Sequence, residues 1–534
     1  MITAIYNTTI QTETWPALWL TEHVTVIPKG RSPEDPSKCR NISCTNYLSK
    51  ALERIVLQYA RQQVVPKPNQ FGGERGCSTD HFLAEVWDQV SENLEDQRAA
   101  TILTSIDYSK AFNRLDHEAC LKAFANKGAS TQLVRLLASF LMGRTMTVRV
   151  DGKASPPRPV NAGAPQGSVL GTYIFNIGTD TLEDDAHIPD EVRYELNAGD
   201  LSFLELQPNH TYAESTPRAV RFPSPTPTSP IQTVPTQPIL ILPTARNVPT
   251  NLQTRRIEPT WRPKPVAVKK FVDDNLQCEK LCYKDIPTYQ DEAGPYRNAR
   301  AGKSEAMFKH IAVNARKQGL LVNAEKTAVL PISGAVSYDA RAHIYGENNE
   351  RIDSGSTLKT LGFIFNKQAD VSDQVEALTR RFRSRTWALR DLRKSGLTTD
   401  ELLTVYKSTI RPVIEYSSVI YHPMLTCELS DYIEKQQARA LKNIFGCEHS
   451  HRKLLELANI PTLKARREEA CLKFARKMSM NKRFESHFRM RKTRSRAAQA
   501  EEFFEFPART NRRYNSPLYF YRRILNESVV RYPK

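Results

Sequence analysis

Hydrophobic and polar positions alternate along "TILTSIDYS" (101–109), with Ile102, Thr104 and Ile106 on one side and Leu103, Ser105 and Asp107 on the other. That period of two predicts a strand with Asp107 at its end. From Asp116 the period lengthens to that of a helix. Asp116 is suited to the N-cap, Ala119, Ala123 and Phe124 share a face, and Gly128 can end the run. Ser130 caps a second helix with Leu133, Val134, Leu137 and Leu141 at helical spacing, closed by Gly143. "TMTVRVDGKAS" (145–155) then predicts a strand running into an Asp-Gly turn, hence a hairpin.

The pattern breaks at about residue 185. "RFPSPTPTSPIQTVPTQPILILPTARNVPT" (221–250) is rich in Pro, Thr and Ser and has no amphipathic period. A segment like this buries too little apolar surface to offset its ordering entropy, so the whole stretch 186–267 is expected to be a flexible insertion. Folded sequence is expected to resume at "VKKFVDDNLQC" (268–278), followed by a helix over 300–318 and a strand-like "LKTLGFIFN" (358–366). Beyond 370 the apolar positions keep helical spacing: Val371, Val375, Leu378 and Phe382; Leu402, Val405 and Ile410; Ile433, Ala440, Leu441 and Ile444. The end of the chain carries "RMRKTRSR" (489–496) and "RTNRRY" (509–514), read as a mobile basic tail.

Composition narrows the class. The chain has 534 residues, 40% hydrophobic and 25% charged, as expected of a globular protein of two or three domains. No apolar run reaches the length of about 18 residues that a membrane span needs. Nine cysteines, scattered and odd in number, point to reduced thiols in an intracellular setting rather than to a disulfide framework. Cys447, His449 and His451 lack the paired spacing of a zinc site. The net charge of +18 favours a polyanionic partner, of which nucleic acid is the commonest.

The candidate chemistry lies in three stretches: "SIDYSKAFNRLDH" (105–117), the glycine- and proline-bent "NAGAPQGSVLG" (161–171), and "FVDD" (271–274). Together with "VIPKG" (26–30), "QFGGERGCST" (70–79), "NAEKT" (323–327), "LKTLGFIFN" and "YKSTIRPVIEYSSVIYHP" (406–423), they resemble the reverse transcriptases of jockey-like non-LTR retrotransposons. The resemblance covers residues 12–184 and 268–480 in family order.

It implies an α+β fold: a right-hand polymerase, with fingers and palm built on antiparallel sheet and helices, followed by an all-α thumb-like domain. The fingers and first part of the palm would occupy 1–185, the insertion 186–267, the rest of the palm 268–368, the thumb 369–480 and the basic tail 481–534. The implied activity is RNA-directed DNA synthesis by transfer of nucleotides from dNTPs onto a primer 3′-hydroxyl.

Such transfer uses two divalent ions roughly 3.5–4 Å apart to stabilise the attacking and leaving oxygens. Hard cations such as Mg²⁺, with Mn²⁺ as a substitute, take carboxylate oxygens. Asp107, Asp273 and Asp274 are the implied ligands, expected to meet at one edge of a sheet. Lys326 resembles the lysine that protonates the leaving pyrophosphate, and Lys29 and Arg40 the finger residues that clamp the triphosphate. Phe112 resembles the steric gate that excludes a ribose 2′-hydroxyl. Gln166 and Gly167 resemble the residues that lie against the incoming nucleotide.

Two rivals are a nucleic-acid-binding remnant without catalysis and a viral RNA polymerase; Phe112 argues against the second. The implied partners are an RNA template, a DNA primer or target and dNTPs, with no membrane. Target nicking is expected to come from another chain. The implied site of action is the nucleus for target-primed synthesis, or else the cytoplasm.

Overall fold

The computed structural model describes residues 1–28, 39–95, 100–150, 152–180, 182, 192–197, 200–207, 297–300, 302–333, 341–347, 349–489, 503 and 508–531. Strand β1 (Thr21–Pro28) pairs antiparallel with β2 (Cys39–Cys44). The alternating 101–109 stretch is β3 (Ala100–Asp107), which belongs to a second sheet. β4 (Arg144–Val150) returns to the first sheet, parallel to β1, and also pairs antiparallel with β5 (Lys153–Ala154) and β6 (Arg158–Val160). The expected hairpin is therefore β4–β5, with Gly152 at its turn in the left-handed region (φ 76°).

The second sheet has the order β10-β3-β8-β7, with β7 (Val192–Asn197), β8 (Asp200–Gln207) and β10 (Ala328–Ile332) all antiparallel to their neighbours. β9 (Arg297–Arg300) lies parallel to β11 (Arg341–Tyr345), which pairs antiparallel with β12 (Arg351–Asp353). β13 (Thr357–Thr360) and β14 (Phe363–Asn366) form a two-stranded hairpin. Mixed sheets among many helices make this an α+β chain.

The alternation along β3 serves two cores. Ile102 and Ile106 face a core shared with Leu201 and Phe203 of β8, Phe175 and Phe308. Leu103 faces a second core with Leu204, Leu330, Trp87, Phe363 and the buried side chains of the C-terminal helices. Because side chains alternate with period two, a slip of one residue would exchange the two sets and send Asp107 to the wrong face.

Several expectations hold. Asp116 accepts from Ala119 N at 2.8 Å and Ser130 from Leu133 N at 3.3 Å, so both N-caps are made by the residues expected. The helix expected over 300–318 is Gly302–Lys317. Val375, Leu378 and Phe382 are buried on the helix Ser372–Lys394, which packs on Cys427–Phe445 through Ile433, Ala440, Leu441 and Ile444.

Three stretches depart from expectation. The flexible insertion was expected to begin at 186, yet 192–197 and 200–207 are strands of the second sheet, with Leu196, Leu201, Phe203 and Leu204 fully buried. "LKTLGFIFN" is two strands rather than one, because Leu361 and Gly362 both adopt positive φ (49° and 85°) and turn the chain between them. The C-terminal stretch is not wholly a mobile tail. The helix Pro517–Arg531 buries Leu518, Tyr521 and Leu525, and Tyr521 donates to Val419 O at 2.9 Å. "RMRKTRSR" lies outside the described residues apart from Arg489.

"RTNRRY" belongs to the folded part. Arg513 Nη1 donates to Asp88 Oδ1 and Asp88 O, both at 2.7 Å, and to Ser91 Oγ at 2.9 Å, with both charged side chains about nine-tenths buried. Breaking one partner of a buried ion pair strands the other without water, at a cost of about 3–5 kcal/mol. Arg513→Ala should therefore lower unfolding free energy by about that amount in a urea titration; an unchanged midpoint would return this segment to the status of a tail.

Candidate active site

β3 delivers Asp107 to the sheet end, with its carboxylate about one-third exposed. The backbone there is fixed: Asn323 N donates to Asp107 O at 2.8 Å and Ser109 N to Leu321 O at 2.9 Å. The turn that begins at Asn323 carries Lys326, whose Nζ lies 2.7 Å from Asp107 Oδ2. Two of the expected site residues, 219 positions apart, are thus brought into direct contact. The pair is open to solvent on the lysine side, so it contributes no more than about 1 kcal/mol and yields easily to another cation.

After Asp107 the chain turns through Lys110, which sits in the left-handed region (φ 52°), into the short helix Ala111–Arg114. Phe112 on that helix stacks on Phe175, with ring centroids 4.4 Å apart and an interplanar angle of 19°. The bent loop docks beside it. Ala164 N donates to Phe112 O and Gly163 N to Leu115 O, both at 2.8 Å. On its other flank Ser43 N of β2 donates to Gln166 O at 2.8 Å.

Glycine is required at both contacts. A Cβ at Gly163 (φ 91°) would stand 2.5 Å from Phe112 O, and one at Gly167 (φ 127°) 2.6 Å from Ser43 O. Below the loop, the buried Glu53 accepts from Val169 N at 2.6 Å and Leu170 N at 3.2 Å. Its negative charge meets the positive end of the helix Val169–Thr179.

Phe112, Asn113, Gln166, Ser43 and Asn41 line one cavity of about 260 Å³, with the Arg144-paired Glu22 also on its wall. Phe112 and Gln166 therefore line the same cavity. Arg40 is exposed on β2 and is not among the lining residues. Lys29, Asp273 and Asp274 lie outside the described residues.

The residue that the register sets opposite Asp107 is Asp200, at the start of β8. Asn197 pairs with Asp200 across the hairpin, leaving the two-residue sequence Ala198-Gly199 as the connection. Both edges of β3 are occupied, by β8 and β10, so no further strand can pair directly with it. Sequence reasoning passed over Asp200 because it read the region as part of the insertion. The signal was present in "VRYELNAGDLSFLELQ" (192–207): largely period-two runs on either side of the sequence Ala198-Gly199. Glu53 had no such signal, since a helix cap supplied from 116 positions away leaves no local pattern.

Among the described residues no group of three or more His, Cys, Asp or Glu side chains is gathered as a metal site, and no helix is long and apolar enough to cross a membrane.

Asp107 thus ends a central strand, and the glycine-bent loop and Phe112 share one cavity. Residues 27–191 match the family model described as reverse transcriptase (RNA-dependent DNA polymerase). The chain is 31% identical over 179 residues to the RNA-directed DNA polymerase from mobile element jockey of Drosophila melanogaster, a match covering 32% of this chain and 19% of that one. To the jockey polymerase of Drosophila funebris it is 33% identical over 181 residues, 33% of this chain and 19% of the relative. A Pol polyprotein of the R2 element of Popillia japonica matches at 29% over 171 residues, 31% and 24% of the two chains. Residues 27–191 are thus similar to reverse transcriptases, and the relatives matched include jockey-like non-LTR elements; the chain spans about a fifth of the length of those jockey relatives.

The tightness of the loop yields a stability prediction. Gly167→Ala should cost about 1–3 kcal/mol, from the unfavourable φ and the clash with Ser43 O. A melt or denaturant titration reads this directly, and an unaltered stability would mean that the loop does not lie against β2.

Proposed function

We propose that the chain is the RNA-directed DNA polymerase portion of a non-LTR retrotransposon, adding dNTPs to a primer on an RNA template. The observation that carries this is the register of β3 and β8, which sets Asp107, inside the matched residues 27–191, opposite Asp200, just beyond them. Two acids at neighbouring strand ends are an oxygen donor set suited to a hard divalent cation, Mg²⁺ or Mn²⁺. When bound, the ions would stabilise charge on the attacking and leaving oxygens.

The remaining steps belong to the chain's own side chains. Lys326, within 2.7 Å of Asp107 Oδ2, would serve as the proton donor to pyrophosphate. Phe112, held flat against Phe175, closes the cavity where a ribose 2′-hydroxyl would sit and so selects dNTPs. Gln166 and Gly167 offer the nucleotide a close backbone approach, and Arg40 with Lys29 would hold the triphosphate from the fingers side. The second acidic partner of Asp107 is Asp200 in this reading, in place of the Asp273–Asp274 doublet. The division into fingers and palm, thumb-like helices and the intervening 208–296 stretch follows the same reading.

Primer extension decides it, using the purified chain, an RNA template annealed to a DNA primer, dNTPs and Mg²⁺. Asp107→Asn and Asp200→Asn should each lower extension at least about a hundredfold, the scale of removing one electrostatic group from a transition state, with template binding retained. Asp273→Asn should extend normally; loss there with a fully active Asp200→Asn would make the doublet the partner. Binding without any extension by the unaltered chain would identify the silent remnant. Phe112→Ala should raise ribonucleotide incorporation roughly tenfold, and an unchanged dNTP/rNTP ratio would remove its gating role.

A further inference from the structure

A cavity of about 600 Å³ lies on the C-terminal helices and uses none of the residues around Asp107 and Phe112. The helices Ser372–Lys394 and Cys427–Phe445 form it side by side. Their cross-contacts keep one register: Arg383 Nε donates to Gln436 Oε1 at 3.0 Å, and Arg390 Nε to Asn443 Oδ1 at 2.8 Å. The helices therefore run parallel. Arg383, Trp387, Arg390 and Arg393 follow one another along one wall at steps of three or four residues, facing Arg439 and Lys442 on the other.

Lys442 is paired with Glu448, but none of the four arginines has a carboxylate partner among the described residues. Arg393 leans over the C-terminal end of the second helix, its guanidinium in the space a Cβ on Gly446 would take; the helix dipole answers part of that one charge. The others repel one another with only neutral hydrogen-bond partners. Trp387, 63% exposed, stands among them with its ring open to solvent.

We propose that this groove binds single-stranded nucleic acid, with the guanidinium groups on consecutive phosphates and Trp387 stacked on an unpaired base. Arginine forks match phosphate oxygens in pairs, and an exposed indole offers a platform that any base can use. The wall from Arg383 to Arg393 spans about 15 Å of helix, enough for a few nucleotides. Helices packed side by side lie roughly 8–10 Å apart, too narrow for a duplex to enter between them. An acidic peptide would meet the charges but leave the indole without a partner. RNA and DNA share the recognised chemistry, and the groove does not depend on polymerase activity.

The test measures anisotropy of labelled U12, dT12 and a 12-base-pair duplex with the full chain in EDTA, so that nucleotide addition plays no part. The double variant Arg390→Glu/Arg439→Glu should bind U12 and dT12 at least about tenfold more weakly, with a salt slope shallower by about 1.4 for two lost single-strand phosphate contacts. Trp387→Ala, on an exposed position that leaves the helix packing intact, should lose roughly tenfold. Loss confined to U12 or to dT12 supports the groove and identifies which strand it takes. Unchanged affinity in both variants overturns the proposal, as does an equal loss for the duplex or competition by poly-glutamate as effective as by U12. If the variants show these losses yet the unaltered chain never extends a primer, the polymerase reading fails while the groove stands.

Discussion

Strand β3 is hydrogen-bonded on both edges, to β8 and β10, and buried on both faces. Few elements in a protein have less freedom. Its edges fix the register, its faces fix which side chains enter which core, and Asp107 is carried to the sheet end as a consequence. The polar side chains that share its length are small: Thr101 and Thr104 are fully buried beside Ile102 and Leu103.

The cavity at Phe112 depends on backbone proximity more than on side-chain packing. Three chain segments meet there: the short helix with Phe112, the loop with Gln166, and β2 with Ser43. Main-chain hydrogen bonds join them, and glycines 163 and 167 allow the approach. Glu53 tightens the same corner by capping the helix that leaves the loop, and its other oxygen accepts from Ser49 at 3.0 Å. A buried carboxylate stabilises only where donors satisfy it, and here two amides and a hydroxyl do so.

Positive charge is not spread evenly over the fold. Much of it in the N-terminal half is answered locally, as by Arg144 with Glu22 and Arg61 with Glu74. At the groove between the helices Ser372–Lys394 and Cys427–Phe445 four arginines instead converge with one acid, Glu448, which is paired with Lys442. A net charge of +18 gains meaning from this placement: uncompensated cations collect at a groove, where a polyanion can relieve their repulsion.

Local pattern was enough for much of this architecture. Period-two alternation located β3, side-chain caps at Asp116 and Ser130 located two helices, and helical spacing located the buried faces of the C-terminal region, because each is written in neighbouring residues. Tertiary structure alone decided what lies beside what. It set Asp200 opposite Asp107, brought Lys326 to that carboxylate, placed Glu53 under the loop, and buried Arg513 against Asp88. Those contacts join positions separated by tens to hundreds of residues, and composition misled wherever folded and Pro/Thr-rich stretches adjoin. Strand pairing and ion pairing are chosen by which surfaces the rest of the chain leaves free, and no window of local sequence contains that information.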